Sequence, residues 1–119
     1  MHTITTRFDF SAAHHIDGLP AGHPCSRPHG HNYAVELVLS APALTGPGFV
    51  LDYGDLAPFG RWLDDTLDHR DLNDVLPCTT TAENIAAYLF ATIGERWPAW
   101  PLAAVRVSET GKTWAEYRP

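Results

Sequence analysis

Two stretches of the sequence alternate apolar and polar residues with the period of a β-strand, from about residue 3 to 14 and from 29 to 41. Successive side chains of a strand point to opposite faces, so each stretch has one apolar face. His14 ends the first of these faces, and His29 and His31 begin the second. The other members of the two faces are Ile4, Phe8, Phe10, Ala12, Tyr33, Val35, Leu37 and Leu39. The pattern predicts two long strands whose three histidines lie on faces expected to be buried.

A metal ion suits three such histidines. Neutral imidazole is the commonest zinc ligand, and three imidazoles with one open position form a catalytic site, whereas structural sites add a fourth protein ligand, often cysteine. Cys25, four residues before His29, is either that fourth ligand or an unligated thiolate that acts as base or nucleophile beside the metal. The spacing leaves both interpretations open, and His14 alone could be a hydrogen-bonded core residue.

Length and charge limit the class of protein. With 119 residues we expect one domain, residues 1–119. Its 14 acidic and 8 basic residues give a net charge of -6, which disfavours nucleic acid as a partner. Two cysteines are too few for a disulfide scaffold. The first residues show no basic stretch followed by an apolar run, and nowhere are there eighteen consecutive apolar residues. We therefore expect a soluble cytoplasmic protein without a membrane partner.

Two helices are predicted between residues 52 and 98. The first has an apolar stripe and should begin close to Asp52 or Asp55. It delivers Asp68 and His69, which are either a polar helix end or a pair that shuttles protons. The second helix should end at Gly94. The two apolar stripes are formed by Leu56, Phe59, Leu63 and Leu67, and by Ile85, Ala86, Leu89, Phe90 and Ile93.

Two glutamates stand out in the second half of the chain. Glu83 follows Thr80 at the spacing of a capping box, which competes with any functional role for it. Glu109 ends the apolar face of a predicted strand, about 102 to 109, where an unpaired carboxylate is costly. The carboxylate of Glu109 therefore needs a partner. Arg106, three residues earlier, is disfavoured as that partner because its side chain points to the opposite face.

A fourth strand is predicted over about 113 to 118, after a turn at Gly111. The order of elements is then ββααββ. It indicates an α+β fold, a four-stranded antiparallel sheet with two helices on one face.

Six short segments occur in register along nearly the whole chain. They are Phe10 to His14, Cys25 to His31, Leu51 to Tyr53, Leu67 to His69, Thr81 to Asn84, and Val107 to Thr110. In this order they resemble the 6-pyruvoyltetrahydropterin synthase family. The Cys25-x3-His29 spacing is most similar to its bacterial 6-carboxy-5,6,7,8-tetrahydropterin synthase branch.

The resemblance implies the tunnelling fold, in which subunits pack into barrels and usually a homo-hexamer with active sites at subunit interfaces. It implies zinc (Zn2+) as the cofactor, held by His14, His29 and His31. The implied substrate is 7,8-dihydroneopterin triphosphate.

It also implies roles for the other candidate residues. Cys25 would remove a carbon-bound proton, Asp68 with His69 would act as the paired acid and base, and Glu109 would join that relay. Glu109 would accept two N–H groups from the pterin edge, helped by Thr81 and Glu83.

Three rival functions remain at this point. One is 6-pyruvoyltetrahydropterin synthesis by triphosphate elimination. Another is hydration or hydrolysis of a small substrate by a zinc-activated water, for which Cys25 would be dispensable. The last is a non-catalytic protein that a closed zinc site stabilises for assembly.

Overall fold

The computed structural model describes residues 1–119 and contains one four-stranded antiparallel sheet in the order β1-β2-β3-β4. The strands are β1 (His2–His14), β2 (His29–Ala41), β3 (Leu102–Ser108) and β4 (Ala115–Tyr117). β4 is shorter than predicted, and the turn before it contains Gly111 with a positive φ of 79°. The predicted four-stranded antiparallel sheet is confirmed.

β1 and β2 form a long pair, and their register positions the histidines. Phe10 lies opposite Tyr33, and His14 at the end of β1 lies opposite His29 at the start of β2. Since His31 is two residues from His29, all three histidines share the face on which Phe10 stacks against Tyr33, with ring centroids 4.8 Å apart.

Three helices follow β2: α1 (Ala57–Thr66), the single-turn α2 (Leu72–Val75) and α3 (Ala82–Arg96). α1 begins later than predicted because Asp52 caps a short 3-10 turn, accepting a 2.9 Å hydrogen bond from the Gly54 backbone. The sequence pattern did not indicate α2. α3 continues through Gly94, which is a helical residue and not the stop that its sequence position suggests.

The N-cap of α3 corrects one prediction. Thr81 rather than Thr80 caps this helix, since Thr81 Oγ1 accepts a 3.2 Å hydrogen bond from the Asn84 backbone N–H. Thr80 is completely buried and its hydroxyl contacts His15. The capping box of Thr80 and Glu83 is therefore wrong, and Glu83 lies exposed in the first turn of α3.

The hydrophobic core lies between the helices and one face of the sheet. Its fully buried members include Leu37 of β2, Phe59 of α1, Leu89 of α3 and Val105 of β3. The other face is polar: Thr3 hydrogen-bonds Ser40 across the first strand pair. The α+β layer arrangement is thereby confirmed. Every helix is too short or too polar to cross a lipid bilayer.

Candidate metal centre

The histidine cluster, defined as His14, His29 and His31, forms where β1 ends and β2 begins. One ring nitrogen from each residue lies within 4.8 Å of the others. The ring centroids of His14 and His29 are 4.6 Å apart, and those of His29 and His31 are 4.8 Å apart. The strand register brings the first pair together, and the two-residue spacing of β2 adds the third ring.

Backbone carbonyls fix the tautomers of two of these rings. His14 Nδ1 lies 2.9 Å from the carbonyl oxygen of Thr80, and His29 Nδ1 lies 2.7 Å from that of Arg27. A carbonyl can only accept, so each Nδ1 carries the hydrogen and each Nε2 presents a lone pair.

Those two Nε2 atoms are 3.1 Å apart. Two lone pairs at this distance repel and cannot form a hydrogen bond, whereas a cation between them would bind both. Two nitrogen ligands of a tetrahedral zinc, each about 2.0–2.1 Å from the ion, are roughly 3.3 Å from each other. The pair therefore fits a bound metal.

His31 has an unsatisfied atom at the same place. Its Nε2 is buried without a hydrogen-bond partner, 3.5 Å from Glu109 Oε2. Burial lowers the pKa of both His14 and His31, against the opposing effect of Glu109. Lowered pKa values favour the neutral imidazole, which is the form that binds metals.

Cys25 lies outside the histidine cluster. It is half-buried in a 3-10 turn, Pro24–Ser26, whose N-cap His23 accepts a 3.1 Å hydrogen bond from the Cys25 backbone N–H through Nδ1. The carbonyl of Cys25 accepts from the Ile16 backbone at 2.9 Å, which ties the turn to the residues just after β1. The cluster thus consists of three nitrogens without a sulfur.

Asp68 and His69 are paired. His69 Nδ1 lies 2.8 Å from Asp68 Oδ2, and Asp68 Oδ1 accepts from the Ser11 backbone N–H at 2.9 Å. The Ser11 N–H, followed by the His69 hydrogen bond, holds the pKa of Asp68 below its usual value. His69 adopts a left-handed φ of 58°, which is uncommon for a residue other than glycine. An exposed imidazole is held beside an ionised carboxylate.

A cavity of about 540 Å³ is lined by His69 of this pair and by His31 of the histidine cluster. Its other polar walls include Ser11, Asn32 and Arg70.

Glu109 and Glu83 share a second cavity, of about 290 Å³, at the N-terminal end of α3. Glu109 also lines a third cavity, of about 440 Å³, together with His31. Thr81 lines none of these cavities, since its side chain caps α3.

Sequence reasoning missed two residues that contact the site. Thr80 supplies the carbonyl that receives the His14 Nδ1 hydrogen, and Asn73 of α2 hydrogen-bonds the backbone of His15. Neither has a local signal, because both act on residues more than 50 positions away.

The model of the family described as 6-pyruvoyl tetrahydropterin synthase matches residues 3–119. A putative 6-carboxy-5,6,7,8-tetrahydropterin synthase of Archaeoglobus fulgidus is 35% identical, with 92% of this chain and 89% of the relative covered. The 6-carboxy-5,6,7,8-tetrahydropterin synthase of Bacillus subtilis is also 35% identical, with coverages of 92% and 80%. The human 6-pyruvoyl tetrahydrobiopterin synthase is 27% identical, with coverages of 97% and 90%.

The fold is likewise shared with solved structures. The 6-pyruvoyl tetrahydropterin synthase of Caenorhabditis elegans superimposes with a TM-score of 0.85 at 28% identity, covering 99% of this chain and 95% of that one. The sheet and helices described above are accordingly those of the tunnelling fold. From the match over residues 3–119 and these relatives, the chain belongs to the 6-pyruvoyl tetrahydropterin synthase family.

Proposed function

We propose that this protein is a zinc-dependent 6-carboxy-5,6,7,8-tetrahydropterin synthase. It would convert 7,8-dihydroneopterin triphosphate to the 6-carboxy product with release of acetaldehyde and triphosphate, a step of queuosine and 7-deazapurine synthesis. The observation that carries the proposal is the 3.1 Å contact of the His14 and His29 Nε2 lone pairs, beside the orphaned His31 Nε2 and with Cys25 outside the cluster. The names of the archaeal and Bacillus relatives favour this product.

His14, His29 and His31 would hold the ion. Bound zinc would supply Lewis acidity toward the hydroxyls of the substrate side chain, which makes them and the adjacent C–H more acidic. Three protein ligands leave room for those oxygens, as in catalytic zinc sites.

Cys25 would serve as the base. A thiolate near a metal ion is stabilised by the positive charge, and it can remove the proton from carbon while remaining unligated. Cys25 lies in a 3-10 turn between His14 and His29, and a backbone hydrogen bond from Ile16 to the Cys25 carbonyl ties this turn to the residues after β1.

Asp68 and His69 would move the other protons. The carboxylate orients the imidazole through the Nδ1 hydrogen, which leaves Nε2 free to give or take a proton. His69 lies on the wall of the cavity that His31 also lines, which supports this role.

Glu109 would recognise the pterin. A carboxylate accepts the two parallel N–H groups of the 2-amino-4-oxo edge, and such paired, charge-assisted bonds are strong. Glu83, which lines the same cavity, would assist, with Thr81 nearby at the start of α3. Its 3.5 Å separation from His31 would also allow Glu109 to join the proton relay.

Residues 1–119 would act as one domain within a cytoplasmic homo-hexamer whose active sites lie at subunit interfaces. One structural feature supports assembly: residues 2–10 of β1 form no backbone hydrogen bond on their outer edge. An open strand edge of this length is suited to pairing with another copy.

A second candidate function is 6-pyruvoyltetrahydropterin synthesis, which retains the carbon chain and eliminates triphosphate. The similarity to the human 6-pyruvoyl tetrahydrobiopterin synthase over 97% of this chain supports this alternative. Product analysis separates the two, because only the 6-carboxy reaction releases acetaldehyde.

The test is incubation of the zinc-loaded protein with 7,8-dihydroneopterin triphosphate and identification of the products by mass spectrometry. We expect 6-carboxytetrahydropterin and acetaldehyde from the wild type, and a rate lower by about 10²–10⁴-fold from Cys25→Ala with zinc content unchanged. Cys78→Ala is the matched control, since Cys78 packs against the core and should leave the rate near that of the wild type. Absence of turnover by zinc-loaded wild type would refute the proposal.

A further inference from the structure

Near the C-terminal end of β1, its outer edge pairs with residues 68–73, which we call the edge segment. The His69 backbone N–H donates to the Ser11 carbonyl at 2.6 Å, and the Ala13 backbone N–H donates to the Arg70 carbonyl at 3.0 Å. This pairing is backbone to backbone, as between two strands. It stops after Arg70, because the segment turns into α2.

Beyond this backbone pairing, the side chain of Asn73 hydrogen-bonds the backbone of His15. Its Oδ1 accepts from the His15 backbone N–H at 2.9 Å, and its Nδ2 donates to the His15 carbonyl at 2.9 Å. The orientation of the carboxamide is unambiguous, since a backbone N–H only donates and a carbonyl only accepts. Asp71 holds Asn73 in place by accepting from its backbone N–H at 3.0 Å.

Thr80 joins this contact to the histidine cluster. Its Oγ1 lies 3.2 Å from the His15 carbonyl oxygen, 3.3 Å from Asn73 Oδ1 and 3.2 Å from His14 Nδ1. Its own carbonyl accepts the His14 Nδ1 hydrogen at 2.9 Å. Thr80 and His14 are 0% and 1% exposed, so water does not compete for these bonds.

We propose that Asn73 and Thr80 are positioning residues that hold the His14 ring with Nε2 directed at the metal. This inference rests on the proposed zinc-binding function. His29, by contrast, has its Nδ1 on the carbonyl of Arg27, an exposed residue of the loop before β2. Of these two ligands, His14 is thus the one that neighbouring side chains hold in place. Asn73 and Thr80 would do so without contacting the metal. Partners of this kind set the orientation and basicity of a ligand histidine.

The first test is zinc affinity in Asn73→Asp. The carboxylate can still accept from the His15 N–H, but it cannot donate to the His15 carbonyl and places a negative oxygen against it. We expect zinc affinity, measured by competition with a chromophoric chelator, to fall about 10–100-fold. We also expect the d–d absorption bands of the Co2+-substituted protein to change in shape and intensity.

Asn84→Asp is the matched control. Asn84 Nδ2 donates to the Thr79 carbonyl at 3.0 Å, so the same chemical change removes the same type of bond at an exposed place with no contact to His14 or His15. Its zinc affinity should stay within about twofold of the wild type. Its Co2+ spectrum should be that of the wild type.

A second pair of variants decides the matter if Asn73→Asp does not fold. Thr80→Val removes the hydroxyl at nearly constant volume, and Thr80→Ser restores it. We expect weakened zinc binding and a changed Co2+ spectrum in the first, and near-wild-type values in the second. Equal behaviour of Thr80→Val and Thr80→Ser would overturn the assignment of Thr80.

The outcomes separate this inference from the proposed function. If wild-type protein binds zinc and turns over substrate while Asn73→Asp keeps wild-type affinity and Co2+ bands, only the positioning role is refuted. If wild-type protein binds neither zinc nor Co2+, the proposed function fails and this inference fails with it.

Discussion

His14 Nε2 and His29 Nε2 face each other at 3.1 Å, and both present lone pairs because their Nδ1 hydrogens are donated to backbone carbonyls. The arrangement fits two ligands of one cation, and we expect the stability of this end of the sheet to depend on metal.

Metal removal should accordingly destabilise the protein. A ligand that binds only the folded state at 1,000 times its Kd stabilises by about 4.1 kcal/mol, so we expect chelation of zinc to lower Tm by several degrees and re-addition to restore it. Calorimetry of the chelated and zinc-loaded protein measures the shift.

His29→Ala should abolish that dependence. It removes one of the two facing lone pairs, and zinc affinity should fall by more than about 100-fold, beyond the loss expected for a residue that only supports a ligand. His2→Ala is the control, because His2 is exposed at the start of β1. A Tm that responds to zinc equally in both variants would place the metal elsewhere.

Sequence reasoning located this cluster because strand parity is a strong constraint. Once two strands pair, alternation fixes which residues share a face, and His14 falls opposite His29 in the register. The N-cap of α3, by contrast, could not be assigned from the sequence. Thr80 and Thr81 are adjacent and chemically identical, and only the tertiary contact of Thr80 with His15 assigns the cap to Thr81.

Asn73 is another residue whose role could not be predicted from the local sequence. Its role depends on the return of residues 70–73 to the edge of β1, a contact between segments nearly 60 positions apart. Local propensity carries no information about such a contact. The missed α2 has the same origin, since four residues are too few to show a helical period.

The ionised carboxylate of Asp68 should contribute to stability in a pH-dependent way. Its folded-state pKa is lowered from 3.8, first by the Ser11 N–H and then by His69. The stabilisation is therefore fully present above the unfolded-state value and is lost as the pH falls through the lower, folded-state value.

Asp68→Asn should then be less stable than the wild type at neutral pH, with the difference shrinking in the acid range. Urea midpoints of both proteins across that range measure it, with Asp64→Asn, an exposed change on α1, as the control. A stability difference that does not vary with pH would contradict the assignment.

Glu109 should govern substrate affinity. Glu109→Gln keeps an acceptor but loses the charge and one of two parallel bonds, and hydrogen bonds to charged groups contribute about 1.5–3 kcal/mol. We expect KM for 7,8-dihydroneopterin triphosphate to rise about 10–100-fold. Glu116→Gln, which removes an exposed ion pair with Arg118, should leave KM unchanged. Unaltered KM in Glu109→Gln would assign pterin recognition to other residues.

Gly94 offers a stability prediction independent of the site. It is a helical residue of α3, and a Cβ there would meet no atom within 4 Å. Gly94→Ala should therefore stabilise the protein by about 0.4–1 kcal/mol, through the reduced entropy of the unfolded chain. Gly111→Ala, at a φ of 79°, should destabilise it. Chemical unfolding of both variants gives the sign directly.

The ligand set of the metal is the central claim, and X-ray absorption spectroscopy of the zinc-loaded protein tests it most directly. Three histidines with Cys25 unligated predict a first shell of nitrogen and oxygen alone, with imidazole nitrogens at about 2.0–2.1 Å. A zinc–sulfur shell at about 2.3 Å would show that Cys25 closes the site, and would contradict the account.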